Sequence, residues 1–450
     1  MAKKSGDNSY RFDIFKDGPL ERDLGAGNDL VSIDAPDAVK QIRLTFTSSE
    51  VGNGSADDSN TLANQDGGLA VRVQAEYNVG KLRGPESRFD DEGIVFKSNG
   101  KFTFDVRDLV SGVQRGDTFD VVKLGTSGAD NLYGSDKGQA YYLNGGMGAD
   151  KIIGGFENDF LVGGSGDDVL SDRAGDDSFI GGGGNDLIFA GSGNDTVIFA
   201  VATDGRDKAD LGTGNDTVNI TAPVTAAQVR LTFTSSEVGN NDARDSDTMA
   251  NQDGSLAVRL RAEDGSGGLT GFQSRFDDEG VSFVSTVAGV TFDVRDLVSG
   301  VARGDQFNIV RLGTSGNDTF SEIGKTASYY INAGMGDDSV TGGQGRDFLV
   351  GGAGNDMLNG LGGKDSFIGG GGSDVFVFAE SPGSDTINDF VSGTDKIDFR
   401  MLDIDFNDIQ TSVSGSDTLL KVDTNGNGTT NFTITLLNVA APSQSDFLFS

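Results

Sequence analysis

The sequence predicts an all-β chain: two tandem copies of a β-sandwich-like module, each followed by a parallel β-roll, with a capping C-terminal β segment. Three observations carry that expectation. An aspartate returns every nine residues at Asp150, Asp159, Asp168, Asp177, Asp186 and Asp195, and again at Asp338, Asp347, Asp356, Asp365 and Asp374. Ahead of each array, apolar and polar residues alternate at the period of a half-buried strand. Much of the chain is also written twice. Leu24-Gly25-Ala26-Gly27-Asn28-Asp29 returns as Leu211-Gly212-Thr213-Gly214-Asn215-Asp216, Arg43 to Glu50 as Arg230 to Glu237, Ser87 to Gly93 as Ser274 to Gly280, and Tyr141-Tyr142 as Tyr329-Tyr330. By subtraction, the offset is 187 or 188 residues throughout.

These observations divide the chain into an N-terminal segment (1–38) with a short repeat remnant, a first sandwich-like module (39–123), a first roll (124–222), a second module (223–311), a second roll with its cap (312–399), and a C-terminal β segment (400–450). In the first module Ile42, Leu44 and Phe46 alternate with polar residues, as do Leu69, Val71 and Val73, and Phe102, Phe104 and Val106. Gly/Asp/Asn loops separate these runs, which suits a compact antiparallel sandwich. The acidic loops, with Asp57, Asp58, Asn60 and Asp66 in one copy and Asp242, Asp245, Asp247 and Asp253 in the other, read first as solvated turns and second as a further calcium or polar-ligand site. Asp90-Asp91-Glu92 reads equally as a metal loop or a charged turn.

In the arrays a unit reads Gly145-Gly146-Met147-Gly148-Ala149-Asp150-Lys151-Ile152-Ile153. Glycines accept positive φ and close backbone approach, so the six residues ending in Asp can bend sharply. The remaining three suit a short strand with one inward apolar side chain. Ile152, Leu161, Leu170, Phe179, Ile188 and Val197 hold that slot in the first array, and Val340, Leu349, Leu358, Phe367 and Phe376 in the second. Two units make one coil, so residues eighteen apart stack. The expected neighbours are Asp150/Asp168, Asp168/Asp186, Asp159/Asp177, Asp177/Asp195, Asp338/Asp356, Asp356/Asp374 and Asp347/Asp365.

Carboxylates stacked at strand spacing repel unless a cation lies among them. Calcium suits such a site, because it takes six to eight oxygens, backbone carbonyls included, in flexible geometry. Zinc prefers imidazole or thiolate, and the chain has no His and no Cys. The candidate ligands are therefore the eleven array aspartates. A calcium module binding at about 10⁻⁴ to 10⁻³ M, held at ten times its dissociation constant, gains roughly 1.4 kcal/mol per ion. Over the seven pairs that sums to on the order of 10 kcal/mol, about the whole stability of an ordinary domain. Metal binding and folding are then one event.

The repeat G-G-x-G-x-D-x-U-x resembles the calcium-binding nonapeptide of RTX (repeats-in-toxin) proteins. That resemblance implies calcium as cofactor, an extracellular or cell-surface location and export by a type I system. The segments Gly383-Ser384-Asp385-Thr386-Ile387-Asn388-Asp389-Phe390 and Gly393-Thr394-Asp395-Lys396-Ile397-Asp398-Phe399 look like the cap that closes RTX arrays. Leu419 to Val422 and Phe432 to Leu436 read as a hairpin beyond it. The final Ser445-Asp446-Phe447-Leu448-Phe449-Ser450 resembles the uncleaved signal of type I substrates, a reading preferred to an ordinary last strand. Asp423-Thr424-Asn425-Gly426-Asn427-Gly428 mimics the start of an EF-hand, but its twelfth position is Ile434, so it reads as a hairpin turn. Asp29 and Asp216 read either as members of short flanking coils or as metal-free turn residues.

Composition narrows the function. With 69 acidic against 35 basic residues the formal charge is −34, opposite to what a phosphate backbone calls for. Nucleic acid is therefore not an expected partner. No stretch reaches the apolar length of a membrane span, and Met1 to Asp7 lacks an apolar leader core. Zero His removes HExxH and Ser-His-Asp chemistry, and zero Cys removes thiol chemistry. No G-x-S-x-G occurs, and Gly362-Gly363-Lys364-Asp365 fails the phosphate-loop pattern. The favoured reading is a non-enzymatic surface-layer, matrix or adhesion component whose partners are calcium and either its own copies or a cell-surface polysaccharide. The alternative is a carbohydrate-active or glycan-binding protein using carboxylates of the front modules, although the chain has no Trp for sugar stacking.

Overall fold

A computed structural model describes residues 9–16, 21–23, 29–35, 39–48, 69–78, 81–90, 93–98, 102–108, 118–134, 138–200, 204–221, 228–235, 256–263, 269–277, 280–287, 290–296, 306–379, 383–440 and 442–450. The chain forms two units, residues 1–214 with 272–274, and residues 215–271 with 275–450.

In the first unit, Gln41–Ser48 pairs antiparallel with Leu69–Asn78, which pairs antiparallel with Lys81–Asp90. Its other edge runs parallel to Thr103–Asp108, with Ile42 opposite Phe104 and Leu44 opposite Val106. The pairing is thus mixed, where alternation alone suggested an antiparallel sandwich. Parallel neighbours need a long crossover, and the intervening strands supply it. Ile42, Leu44, Val71, Val73, Phe104 and Val106 are fully buried. Arg43, on the opposite face, is held by Asp105 at 3.0 Å.

Facing this sheet are Ser9–Asp13, Asp29–Asp34 and Ile94–Lys97 in parallel order, with Val121–Leu124 antiparallel to the last. Val121–Leu124 also runs parallel to Tyr141–Met147, the next strand of the roll. Module and roll therefore share a sheet, and one apolar cluster runs from Phe12 and Phe96 through Phe104 and Phe119 to Tyr142 and Val162.

The first roll has two walls of parallel strands. One is Asn131–Tyr133, Lys151–Ile153, Val169–Ser171, Leu187–Phe189 and Lys208–Asp210. The other continues through Tyr141–Met147, Phe160–Ser165, Ser178–Gly183 and Thr196–Ala200. Ile152, Leu170 and Ile188 lie in register on the first wall, and Leu161, Phe179 and Val197 on the second. All six are buried, so the eighteen-residue coil and its inward slots stand as expected. Strand length differs. The first wall has the three-residue strands, whereas Phe160–Ser165 and Ser178–Gly183 run on through the first two glycines of their units. On the opposite turn the second glycine cannot do this, because the Gly155 amide donates to the Asp159 carboxylate.

In the second unit, Gln228–Ser235 lies between antiparallel Leu256–Glu263 and parallel Thr291–Asp296, and Arg230 pairs with Asp293 at 3.2 Å. Its roll aligns Val340, Leu358 and Phe376 on one wall and Leu349, Phe367 and Ile387 on the other. The cap expected at 383–399 extends both walls through Ser384–Ile387 and Lys396–Asp398. The hairpin of Asp417–Val422 and Phe432–Leu436 then closes one wall, its second strand lying parallel to Ser384–Ile387. The final residues, read as an export signal, fold as a strand: Phe447–Leu448 pairs with Lys396–Asp398. Phe447 stacks on Phe399 at 6.0 Å, within the buried cluster that includes Phe378 and Phe432. The Asp423 loop is an exposed hairpin turn whose carboxylate accepts the amides of Asn425 and Gly428.

Asp57, Asp58, Asn60, Asp66, Asp91, Glu92, Asp242, Asp245, Asp247 and Asp253 lie outside the described residues. Among the described residues, no helix is long and apolar enough to cross a membrane.

Candidate metal centre

Each array aspartate closes a turn immediately before a strand, which points its side chain along the turn toward the preceding coil. All eleven are buried, none more than 3% exposed. The seven expected neighbours occur, in a specific form. In each pair, one oxygen of the later carboxylate accepts the backbone amide of the aspartate one coil earlier, and the first members Asp159 and Asp347 accept the amides of Tyr141 and Tyr329 instead. Asp150 donates to Asp168 Oδ1 at 2.8 Å, Asp168 to Asp186 at 2.9 Å, Asp159 to Asp177 at 2.7 Å and Asp177 to Asp195 at 2.8 Å. Asp338 donates to Asp356, Asp356 to Asp374 and Asp347 to Asp365 at 2.8–2.9 Å. The Oδ1 oxygens thus form the ladder.

The second oxygens have a different fate. No donor reaches Oδ2 of Asp150, Asp168, Asp177, Asp186, Asp338, Asp356 or Asp365, although each is buried. A buried carboxylate oxygen without a partner is costly. Beside it lies a carbonyl. A Cβ built on Gly163 would meet both Asp168 Oδ2 and the Gly181 carbonyl, and one on Gly351 would meet both Asp356 Oδ2 and the Gly369 carbonyl. The first glycine of the unit thus leaves room where carboxylate and carbonyl oxygens converge. That all-oxygen donor set suits calcium.

At three ladder ends, those of Asp130, Asp318 and Asp395, the protein supplies the donors itself. Asp130 Oδ2 accepts the amide and hydroxyl of Thr126 at 2.6 and 2.7 Å, and Asp318 Oδ2 accepts those of Thr314. At the far end Asp395 Oδ2 accepts the Val391 amide.

Electrostatics agree. Burial first, and neighbouring carboxylates after it, push Asp177 up to about 9, Asp365 up to about 8, and Asp168 and Asp338 up to about 7. Asp150, Asp186 and Asp374 rise to about 6, chiefly through burial. Without a cation, ionising the ladder works against the fold.

Five ladder members escape a nine-residue count: Asp130, Asp207, Asp318, Asp385 and Asp395. They accept or extend the same amide chain across gaps of 20 or 21 residues instead of 18. Each retains Gly-x-Asp, the signal that could have revealed them. Asp172 was missed as well. It stands where other units have their first glycine, and its carboxylate meets those of Asp159 and Asp177, with ligand oxygens all within 4.8 Å of one another.

Residues 142–161 and 162–197 match the family model of the RTX calcium-binding nonapeptide repeat. These segments are RTX repeats. Residues 286–450 match the model of the Peptidase M10 serralysin C-terminal domain. The RTX repeats bind calcium, and together the two matches mark a type I secreted, extracellular protein. Among solved structures, the chain is similar to the R3 subunit of the Azotobacter vinelandii mannuronan C5-epimerase AlgE6, at 29% identity over 31% of this chain and 81% of that one, with a TM-score of 0.20. It is also similar to the extracellular lipase LipA of Serratia marcescens, at 17% identity over 70% of this chain and 42% of the lipase, again with a TM-score of 0.20. No curated protein matches the chain.

Proposed function

We propose that the array aspartates Asp150, Asp159, Asp168, Asp177, Asp186, Asp195, Asp338, Asp347, Asp356, Asp365 and Asp374 hold calcium along the turns of both RTX rolls, with the first-glycine carbonyls as co-ligands. The supporting observation is a contrast between positions: the Oδ2 oxygens of Asp150, Asp168, Asp177, Asp186, Asp338, Asp356 and Asp365 meet no protein donor, while those of Asp130, Asp318 and Asp395, at ladder ends, are met by Thr126, Thr314 and Val391. Calcium supplies the positive charge that the interior lacks. In low-calcium cytosol the chain stays unfolded enough to be threaded through a type I exporter, and it folds where calcium is abundant.

The folded product is a non-enzymatic matrix, surface-layer or adhesion component in which a duplicated module presents two equivalent surfaces. Calcium titration of the full chain, followed by circular dichroism and light scattering, tests this. The expected result is a cooperative gain of β structure, followed by self-association. Identical spectra in calcium and in excess chelator would falsify the calcium reading. Turnover of a polysaccharide in a reducing-sugar assay would replace the structural role with a carbohydrate-active one.

A further inference from the structure

Within this calcium reading, one position breaks the repeat in an informative way. The first-glycine slots on the edge that carries Asp159 and Asp177 are Gly154, Asp172 and Ala190. In Leu170-Ser171-Asp172-Arg173-Ala174-Gly175-Asp176-Asp177, an aspartate stands where the unit has its glycine. Its side chain turns toward the preceding coil. A Cβ on Gly154 would meet Asp172 Oδ2 and, at 2.8 Å, Asp159 Oδ2. Asp172 is 6% exposed and Asp177 1%, and no donor reaches Oδ2 of either. The Arg173 guanidinium lies over the Phe156 ring at 5.3 Å from its centroid.

The second array makes a useful contrast. The slot corresponding to Asp172 is Gly360, 188 residues on. An acidic residue does occur earlier on that edge, at Glu322, but Arg311 neutralises it at 3.0 Å.

We propose that Asp159, Asp172 and Asp177 form a three-carboxylate cation site that fills before the other calcium positions of the first roll and seeds its coils. Two aspartates balance one divalent ion. Here the third leaves a residual negative charge beside the ion, and affinity in oxygen-ligand sites rises with ligand charge. A trivalent lanthanide matches the three carboxylates outright, so terbium is the natural probe. Tyr141 provides the antenna: its ring carbon lies 3.6 Å from a Cβ built on Gly155, itself 3.2 Å from Asp159 Oδ2.

The test is terbium titration of the full chain under tyrosine excitation, repeated with calcium as competitor. In the wild type, the first bound ion is expected to give sensitised emission, dimmed in Tyr141→Phe without loss of affinity. Asp172→Gly, which restores the repeat glycine, and Asp172→Asn are expected to weaken that first ion roughly tenfold or more. Later ions and the fold at saturating calcium stay unchanged. Unchanged first-ion affinity in both variants overturns the site while leaving calcium-dependent folding intact. Failure of both to fold at saturating calcium also overturns it, by making Asp172 structural. If the wild type folds without calcium, the broader reading fails instead.

Discussion

At the scale of single residues, the two oxygens of one carboxylate have separable jobs. Asp168 Oδ1 holds the Asp150 amide, while Oδ2, without a donor, shares the space beside Gly163 with the Gly181 carbonyl. Asp168→Asn keeps an acceptor for the amide but removes the charge. The expected outcome is a higher calcium midpoint, with stability at saturating calcium lower by about 1–3 kcal/mol, read by calcium titration and denaturant melts. Asp130→Asn should shift that midpoint much less, because Thr126 already occupies its second oxygen. Gly163→Ala tests the cradle from the other side, since its methyl would meet Asp168 Oδ2 and the Gly181 carbonyl. Its binding isotherm should lose the ion at that turn.

At the scale of the roll, the stacked carboxylates make stability depend on pH in opposite senses with and without metal. In the folded, metal-free roll Asp177, Asp365, Asp168 and Asp338 sit at about 9, 8, 7 and 7, above their ordinary value of 3.8. A raised folded value means the folded state holds protons the unfolded state has lost. The associated stability is therefore complete below about pH 4 and disappears as pH rises through about 7 to 9. In chelator, circular dichroism should show more β structure at pH 5 than at pH 8. Calcium needs the ionised form, so its midpoint should rise as pH falls below about 7. Apolar slots matter independently of pH: Phe179 is fully buried, and Phe179→Ala should cost about 3–5 kcal/mol even at saturating calcium. The cap depends on Asp446, whose buried carboxylate accepts from the Ser392 hydroxyl, the Gly393 amide and the Ser443 amide. Asp446→Ala should release the last strand and broaden the second roll's calcium transition, which hydrogen exchange at 392–398 would show.

At the scale of the whole molecule, a formal charge of −34 and four buried carboxylate ladders, two in each roll, make divalent ions part of the architecture. With about 1.4 kcal/mol gained per ion at tenfold excess, several sites per roll together rival the stability of an ordinary domain. Excess chelator should expand the chain and lower its melting temperature by tens of degrees. Magnesium should fail to restore it, because it prefers tight octahedral order and gives up its waters reluctantly. Scanning calorimetry and light scattering in calcium, magnesium and chelator would decide this; equal melting in all three is the outcome that removes the metal from the fold.

The nine-residue step was enough to read the coil length, the inward slots from Ile152 to Phe376, the stacking of the array aspartates eighteen residues apart and the need for a cap. Each unit repeats its own contacts, so local spacing carries that information. Other features were settled only in three dimensions. Asp130, Asp207, Asp318, Asp385 and Asp395 join the ladders across 20 or 21 residues, because a turn absorbs two or three extra residues without shifting strand register. Mixed pairing in the front sheets, the strand formed by Phe447 and Leu448, and the convergence of Asp172 on Asp159 and Asp177 likewise arise between segments. A repeat determines what each residue can offer, but the backbone ladder between coils determines which oxygens are already satisfied and which remain for an ion.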